Sequence, residues 1–326
     1  MSRALKAHIL LVLVTFVWGA TFVVIKDAVE QDATPLMFNF VRMVFATLTL
    51  GVVFYRELTR ITRHSLIAGA ATGIFLGLGY EFQTTGLRLT SASKSAFITG
   101  ISVVLVPLFL ILFWGRKIRT WTALGVLAAV IGLFLLTVPA SESGFGNWES
   151  VNRGDLLTLG CAISFGFQII FLGRATERHP FAQIGFLQVA ASAVLMGIAA
   201  PIFERPHIAW TPQVILALAI TALLGTAAAF TIQAWAQQFT SPTHTALIFS
   251  LEPVFAWITS YIALGERLGA RAAIGAFLIL GGVLISELLG ASSGENVAND
   301  SAVNQPDNVR SNHASIAAES ASNQQK

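Results

Sequence analysis

Long apolar runs, each closed by a short polar break, divide most of this chain. Ten runs approach or reach the ~20 residues (range ~17–25) that a helix needs to cross a bilayer: 8–26, 34–55, 66–88, 94–115, 121–138, 155–173, 181–203, 213–235, 244–264 and 271–289. The breaks carry Arg, Lys, Pro or Asp. Transmembrane β-strands are ~10 residues long and alternate in polarity. These runs are longer and apolar on all sides, so the pattern predicts an all-α integral membrane protein of ten transmembrane helices. The first run follows Arg3 and Lys6 and ends at Lys26 and Asp27 without a small-residue cleavage site, which reads as a retained signal-anchor helix. The pattern stops at Ala291. Residues 291–326 are rich in Ser, Asn, Gln and Ala and read as a disordered polar tail.

The longest break, Pro139 to Arg153, separates five runs from five. An internal repeat respects that division. Thr90-Ser91-Ala92-Ser93-Lys94-Ser95-Ala96-Phe97-Ile98 aligns without gaps on Thr240-Ser241-Pro242-Thr243-His244-Thr245-Ala246-Leu247-Ile248, an offset of 150. The same offset places Tyr80 on Phe230, Gln83 on Gln233, Ser102 on Glu252 and Gly115 on Gly265; nearby offsets place Trp18-Gly19 on Phe165-Gly166 and Arg42 on Gln188. Five is odd, so the halves enter the membrane from opposite sides. That is an inverted-topology repeat, a plan in which substrate sits near the midplane between the repeats. The expected organisation is a first five-helix repeat (1–138), an inter-repeat loop (139–154), a second five-helix repeat (155–290) and the tail.

Composition narrows the function classes. The chain is 55% apolar and 11% charged, against ~45–50% and ~25% in soluble domains, which argues against a soluble enzyme. The net charge of +3 is scattered, unlike the clustered basic face of a nucleic-acid binder. The single cysteine, Cys161, lies in an apolar run and reads as a small buried filler. No HExxH, GxxxxGK[ST] or paired CxxC occurs, and the GxSxG at 290–294 joins a membrane helix to the tail rather than forming an elbow. An intramembrane enzyme needs a nucleophile–base or metal-ligand set at depth, but His8, His64, His179 and His207 lie in loops or at helix ends. No catalytic residue, metal or cofactor is therefore expected. With the N-terminus inside, inner loops hold 10 Arg and Lys and outer loops 7. The positive-inside rule then gives cytoplasmic N- and C-termini, in a cell inner (plasma) membrane.

Several motifs carry a family resemblance. Val17-Trp18-Gly19-Ala20-Thr21-Phe22, Arg42, Leu87-Arg88-Leu89-Thr90-Ser91-Ala92, and Ser250-Leu251-Glu252-Pro253-Val254-Phe255 followed by Leu264-Gly265-Glu266-Arg267-Leu268 occur in order. Over about residues 8–289 this resembles the EamA-type transporters of the drug/metabolite transporter superfamily. The first repeat departs from the pattern: Pro107 falls four places later than the register of Pro253, and the run ends Gly115-Arg116-Lys117 where the family often has Gly-Glu. The resemblance implies ten helices as two EamA-type repeats, termini inside, and export or exchange of small metabolites, with amino acids the best-known cargo.

A charge at the centre of a membrane helix costs ~2.5–3.5 kcal/mol on insertion scales, so Arg42, Glu81 and Glu252 need a partner, a cavity or a function. At 1.5 Å per residue Arg42 and Glu81 lie roughly 12 and 10 Å below the outer ends of neighbouring helices. Matching depths predict that they pair or share a cavity. They form a structural ion pair, or Arg42 anchors a substrate carboxylate while Glu81 reads an amine or a proton, or Arg42 snorkels to lipid headgroups or water. Glu252 stands beside Pro253, which frees a carbonyl and bends the helix. Thr245, Glu252 and Thr259 form one polar stripe, Ser95, Thr99 and Ser102 a related one, and Thr226, Gln233 and Gln237 a third. Facing stripes would make one polar cavity, with Glu252 the candidate proton carrier. The expected substrate contacts are Trp18, Arg42, Tyr80, Glu81, Gln83, Ser102, Gln188, Gln233 and Glu252. Gly69, Gly73 and Gly77 make a GxxxGxxxG that predicts close packing inside the bundle. The reading is an alternating-access carrier exporting a small metabolite, an amino acid or related zwitterion, by proton coupling or exchange. Its partners are the substrate, the lipid bilayer and a coupling proton, and it is a monomer or homodimer. The alternative is a passive channel or a non-transporting membrane sensor.

Overall fold

The computed structural model describes residues 2–87, 89–90, 92–138, 152–264 and 269–303. Most of the inter-repeat loop, the Gly265–Leu268 motif and the distal tail lie outside the described residues, as do the side chains of Phe22, Lys26 and Lys94.

The described residues are helical almost throughout. In chain order the helices are α1 (Arg3–Gln31), α2 (Pro35–Val53), a single turn α3 (Tyr55–Leu58), α4 (Arg63–Leu87), α5 (Ala92–Gly100), α6 (Ser102–Trp114) and α7 (Thr120–Thr137). They continue as α8 (Arg153–Arg178), α9 (Phe181–Phe203), α10 (Pro212–Ala222), a π-helical turn (Leu223–Ala228), α11 (Ala229–Ala236), α12 (Pro242–Phe249), α13 (Glu252–Leu264) and α14 (Ala270–Val303). Among the described residues, eight helices are long and apolar enough to cross a membrane. Local chemistry sets the boundaries. Pro35, Pro212 and Pro242 open helices where no amide donor is needed, and Gly115 ends α6 at φ 59°, a left-handed cap that suits glycine.

Two expected spans are interrupted. The fourth breaks at Ile101, between α5 and α6, and the ninth breaks at Ser250-Leu251, between α12 and α13. At the second break the Ser250 hydroxyl donates to the Leu247 carbonyl at 2.6 Å, and Pro253 has no amide to continue the ladder. Neither α12 nor α13 alone has the length of a span. The tenth appears as a shorter apolar stretch, Ala270–Ser286, and its helix is recorded on to Val303, past the start assigned to the tail.

Large apolar side chains cover the outside: Leu112 is 65%, Phe277 74% and Ile262 77% exposed. Polar side chains turn inward, with Gln188, Gln233, Thr226 and Ser192 fully buried. This inversion of the soluble pattern suits a lipid solvent, where an exposed polar group finds no partner. Inside, α4 lies along α8 and α9, α2 along α9, α1 along α13 and α11, and α7 along α14. Glycines set the tightest approaches. A Cβ on Gly69 would strike Leu187, one on Gly73 the Gln188 carbonyl, and one on Gly77 Leu195. The GxxxGxxxG of α4 therefore packs on α9, inside the bundle as expected. Between α7 and α14, Gly125 meets Gly282 and Gly132 meets Gly275, so that a Cβ on any of the four would sit 2.5 Å from the partner's carbonyl oxygen.

Candidate functional site

Arg42, on α2, is only 4% exposed. Its Nε donates to Thr226 Oγ1 at 2.6 Å, and its Nη2 donates to Tyr80 Oη and to the Gly225 carbonyl, both at 3.1 Å. The guanidinium carbon lies 5.0 Å from the Tyr80 ring centroid. Among the described residues each hydrogen bond of this cation ends on a neutral oxygen. Two acceptors belong to the π-helical turn, which Thr226 braces by donating to the Thr221 carbonyl five residues back at 2.9 Å. Trp18 Nε1 donates to the same Gly225 carbonyl at 2.8 Å. A π turn holds one extra residue per cycle, and such turns are frequent at functional sites.

Aromatic rings wall this centre. Trp18 contacts Phe249 at 4.9 Å and Phe230 at 5.5 Å between centroids. Tyr80 meets Phe165 edge-on at 5.6 Å and Phe230 at 6.5 Å. Besides Phe249, the rings are Trp18 with Phe165 and Tyr80 with Phe230, the two pairs that the repeat aligns.

The remaining expected contacts fall in different places. Glu252 opens α13, half-buried, within electrostatic reach of Arg42 and Tyr80. Its backbone carbonyl packs against Gly19, where a Cβ would lie 2.9 Å away. Glu81 does not pair with Arg42: the Arg42 bonds go to Thr226, Tyr80 and Gly225, and Glu81 Oε1 is buried without a hydrogen-bond partner among the described residues. Of the two expectations for Glu81, a pair with Arg42 or a shared cavity, the pair is not formed. Tyr80 takes the place, because adjacent residues on a helix point about 100° apart. Gln83 and Ser102 are half-buried, with no side-chain hydrogen bond among the described residues.

Gln188 and Gln233 belong to a buried amide network. Gln168 Nε2 donates to Gln188 Oε1 at 3.0 Å, and Gln233 Nε2 donates to Gln168 Oε1 and Gln237 Oε1, both at 3.3 Å. Gln237 Nε2 closes the chain on the Ile169 carbonyl at 2.9 Å, while Gln188 Nε2 remains without a partner. Gln168 and the Gly225 carbonyl were missed as site groups, while Thr226 was named only as part of a polar stripe. Gln168 had a legible signal, a lone amide in the apolar run 155–173. Gln233→Leu orphans two buried amide oxygens, which costs about 1–3 kcal/mol. We expect a lower melting temperature in detergent by scanning fluorimetry; an unchanged value would mean that the network contributes nothing.

Among the described residues no three His, Cys, Asp or Glu side chains gather as metal ligands. Cys161 is buried, its Sγ 3.8 Å from Thr99 Oγ1.

Comparison with known proteins assigns the architecture. The EamA-like transporter family matches residues 5–138 and 152–288. An uncharacterized transporter of Archaeoglobus fulgidus is 35% identical over 286 residues, 88% of this chain and 87% of that protein. A Chlamydia trachomatis protein named as an S-adenosylmethionine/S-adenosylhomocysteine transporter is 28% identical over 305 residues, 86% of this chain and 88% of its own. A crystal structure at 18% identity superposes with a TM-score of 0.72 over 87% of this chain and 97% of that chain, which shows a shared fold.

Proposed function

This chain belongs to the EamA-like transporter family, and on that premise we propose that it is a secondary carrier of small zwitterions, amino acids or their derivatives. Substrate binds between two inverted five-helix repeats, and the substrate's anionic group is received by Arg42. The observation that carries this reading is a buried cation whose bonds all go to neutral oxygens. Such a charge is costly in a membrane unless something anionic meets it. The aromatic walls suit the rest of a small organic substrate, and Glu252, within electrostatic reach of Arg42, would meet an amine. S-adenosylmethionine, in the Chlamydia relative's name, carries an amino-acid end of this kind.

Three observations support the repeat reading. The breaks at Ile101 and at Ser250-Leu251 fall at positions matched by the offset of 150, and α6 and α13 have 13 residues each. The packing of α4 on α8 has its counterpart in α11 on α1. The glycine contacts of α7 with α14 are self-complementary: Gly125 corresponds to Gly275 and Gly132 to Gly282, and each touches the other's counterpart, the relation a two-fold axis imposes. On this reading ten segments cross the membrane, the interrupted ninth included, with both termini cytoplasmic. Transport runs outward, driven by exchange or by protons carried on Glu252.

Counterflow in proteoliposomes tests the proposal. Vesicles loaded with an amino-acid mixture should release a defined subset, saturably, faster when the same compound is outside. Glu252→Gln should remove the response to a proton gradient while counterflow persists. Release without saturation or counterflow would indicate a channel instead.

A further inference from the structure

Two polar contacts, one at each end of the bundle, occupy matching places in the repeat. Where α4 stops and α8 starts, Thr90 Oγ1 donates to Asp155 Oδ1 at 2.6 Å. Where α11 stops and α1 starts, His8 Nε2 and Thr240 Oγ1 are hydrogen-bonded at 3.0 Å. Thr240 follows Thr90 by 150 residues, the interval of the repeat, and Asp155 follows His8 by 147, the interval from Trp18 to Phe165. Each contact ties the first helix of one half to the loop after the third helix of the other.

The surroundings reinforce each closure. Asp155 Oδ2 accepts from the Asn152 amide at 3.0 Å in a capping box, while Oδ1 accepts from the threonine. Beside it the backbones touch: a Cβ on Gly154 would lie 2.8 Å from the Gly86 carbonyl oxygen. At the other end the His8 ring stands edge-on to His244 at 6.3 Å, Lys6 lies over Trp235 at 5.5 Å, and Arg3 lies over Phe239 at 5.8 Å.

We propose that these pairs are two equivalent latches, both fastened in this structure, and that a transport cycle opens them one at a time. This rests on the carrier reading above and adds which contacts hold each end. Halves related by inversion exchange conformations when the open end changes sides. Contacts at equivalent positions then take opposite states, so weakening one latch favours the state in which the other is closed. Two ordinary packing contacts would have no such reciprocity.

Hydrogen–deuterium exchange of the full chain in lipid nanodiscs reads this without a substrate. Thr90→Val should raise deuterium uptake around Thr90 and Asp155 and lower it around His8 and Thr240. Thr240→Val should do the reverse. The loss of one net hydrogen bond shifts the ratio of the two open states about fivefold. Thr90→Ser and Thr240→Ser keep the hydroxyl and should match wild type. Should one valine variant fail to fold, the other variant and its serine control carry the same comparison. Uptake that rises only at the mutated end, or at both ends, overturns the proposal. Counterflow on the same preparations reads the carrier reading separately: reciprocity without counterflow sinks that reading and leaves the latches.

Discussion

Arg42→Leu is expected to abolish substrate counterflow, by about a hundredfold or more, while the protein inserts and folds at least as well as wild type. A guanidinium at membrane depth costs about 2.5–3.5 kcal/mol on insertion scales, and the leucine removes that cost. The groups left behind are cheap to re-satisfy. Gly225 keeps its bond from Trp18, Thr226 keeps its own donation to Thr221, and only the Tyr80 hydroxyl loses its partner. If Arg42 were purely structural, its loss would instead lower the melting temperature and leave transport per folded molecule intact. Arg42→Lys separates charge from shape. A single ammonium cannot reach Thr226, Gly225 and Tyr80 with the fixed fork of a guanidinium, so intermediate transport is expected. Scanning fluorimetry and counterflow on the same purified variants check both halves of the expectation.

The second large effect is predicted at the α7–α14 seam. Gly132→Val places a branched side chain where a single Cβ would already be 2.5 Å from the Gly275 carbonyl oxygen and 2.8 Å from the Ile279 amide nitrogen. Backbone on both sides cannot yield as a side-chain tip can, so the helices must separate. Overpacking of this kind costs about 1–3 kcal/mol, and more where a whole helix pair is displaced. We expect loss of the monodisperse peak in size-exclusion chromatography. Gly281, on the same helix, has nothing within 4 Å of a built Cβ. Gly281→Ala should be neutral or stabilise by up to about 1 kcal/mol, the helix-propensity difference. Equal damage from both substitutions would place the seam elsewhere.

How much of this was legible in the sequence depends on the kind of information. Helix positions were, because a run of apolar residues needs no partner to be recognised. The glycine triplet of α4 was too, because its spacing alone puts three small residues on one face. The approach of Arg42 to this part of α4 was also readable: its guanidinium bonds Tyr80, the neighbour of Glu81. The direction in which each points around the helix was not, so Glu81 was matched to Arg42 and Tyr80 was the residue found there. The Gly225 carbonyl was beyond reach for a different reason. A backbone oxygen becomes a ligand only when a π turn presents it, and nothing in Leu223–Ala228 announces that turn. The break at Ile101 depends likewise on backbone hydrogen bonding that composition does not encode, whereas Pro253 signals a bend beside the break at Ser250-Leu251. Gln188 and Gln233 were recognised as buried polar groups, but whether an amide faces a cavity or another amide is decided by three helices at once.

The most direct measurement concerns the charge that Arg42 lacks. Once counterflow has named a transported compound, that compound and its carboxamide analogue should be compared for thermal stabilisation of the purified protein and of Arg42→Leu. The acid should raise the wild-type melting temperature in a dose-dependent way, the carboxamide should not, and Arg42→Leu should respond to neither. Equal stabilisation by acid and carboxamide, or a response that survives in Arg42→Leu, would contradict the assignment of Arg42 as the anion-binding group.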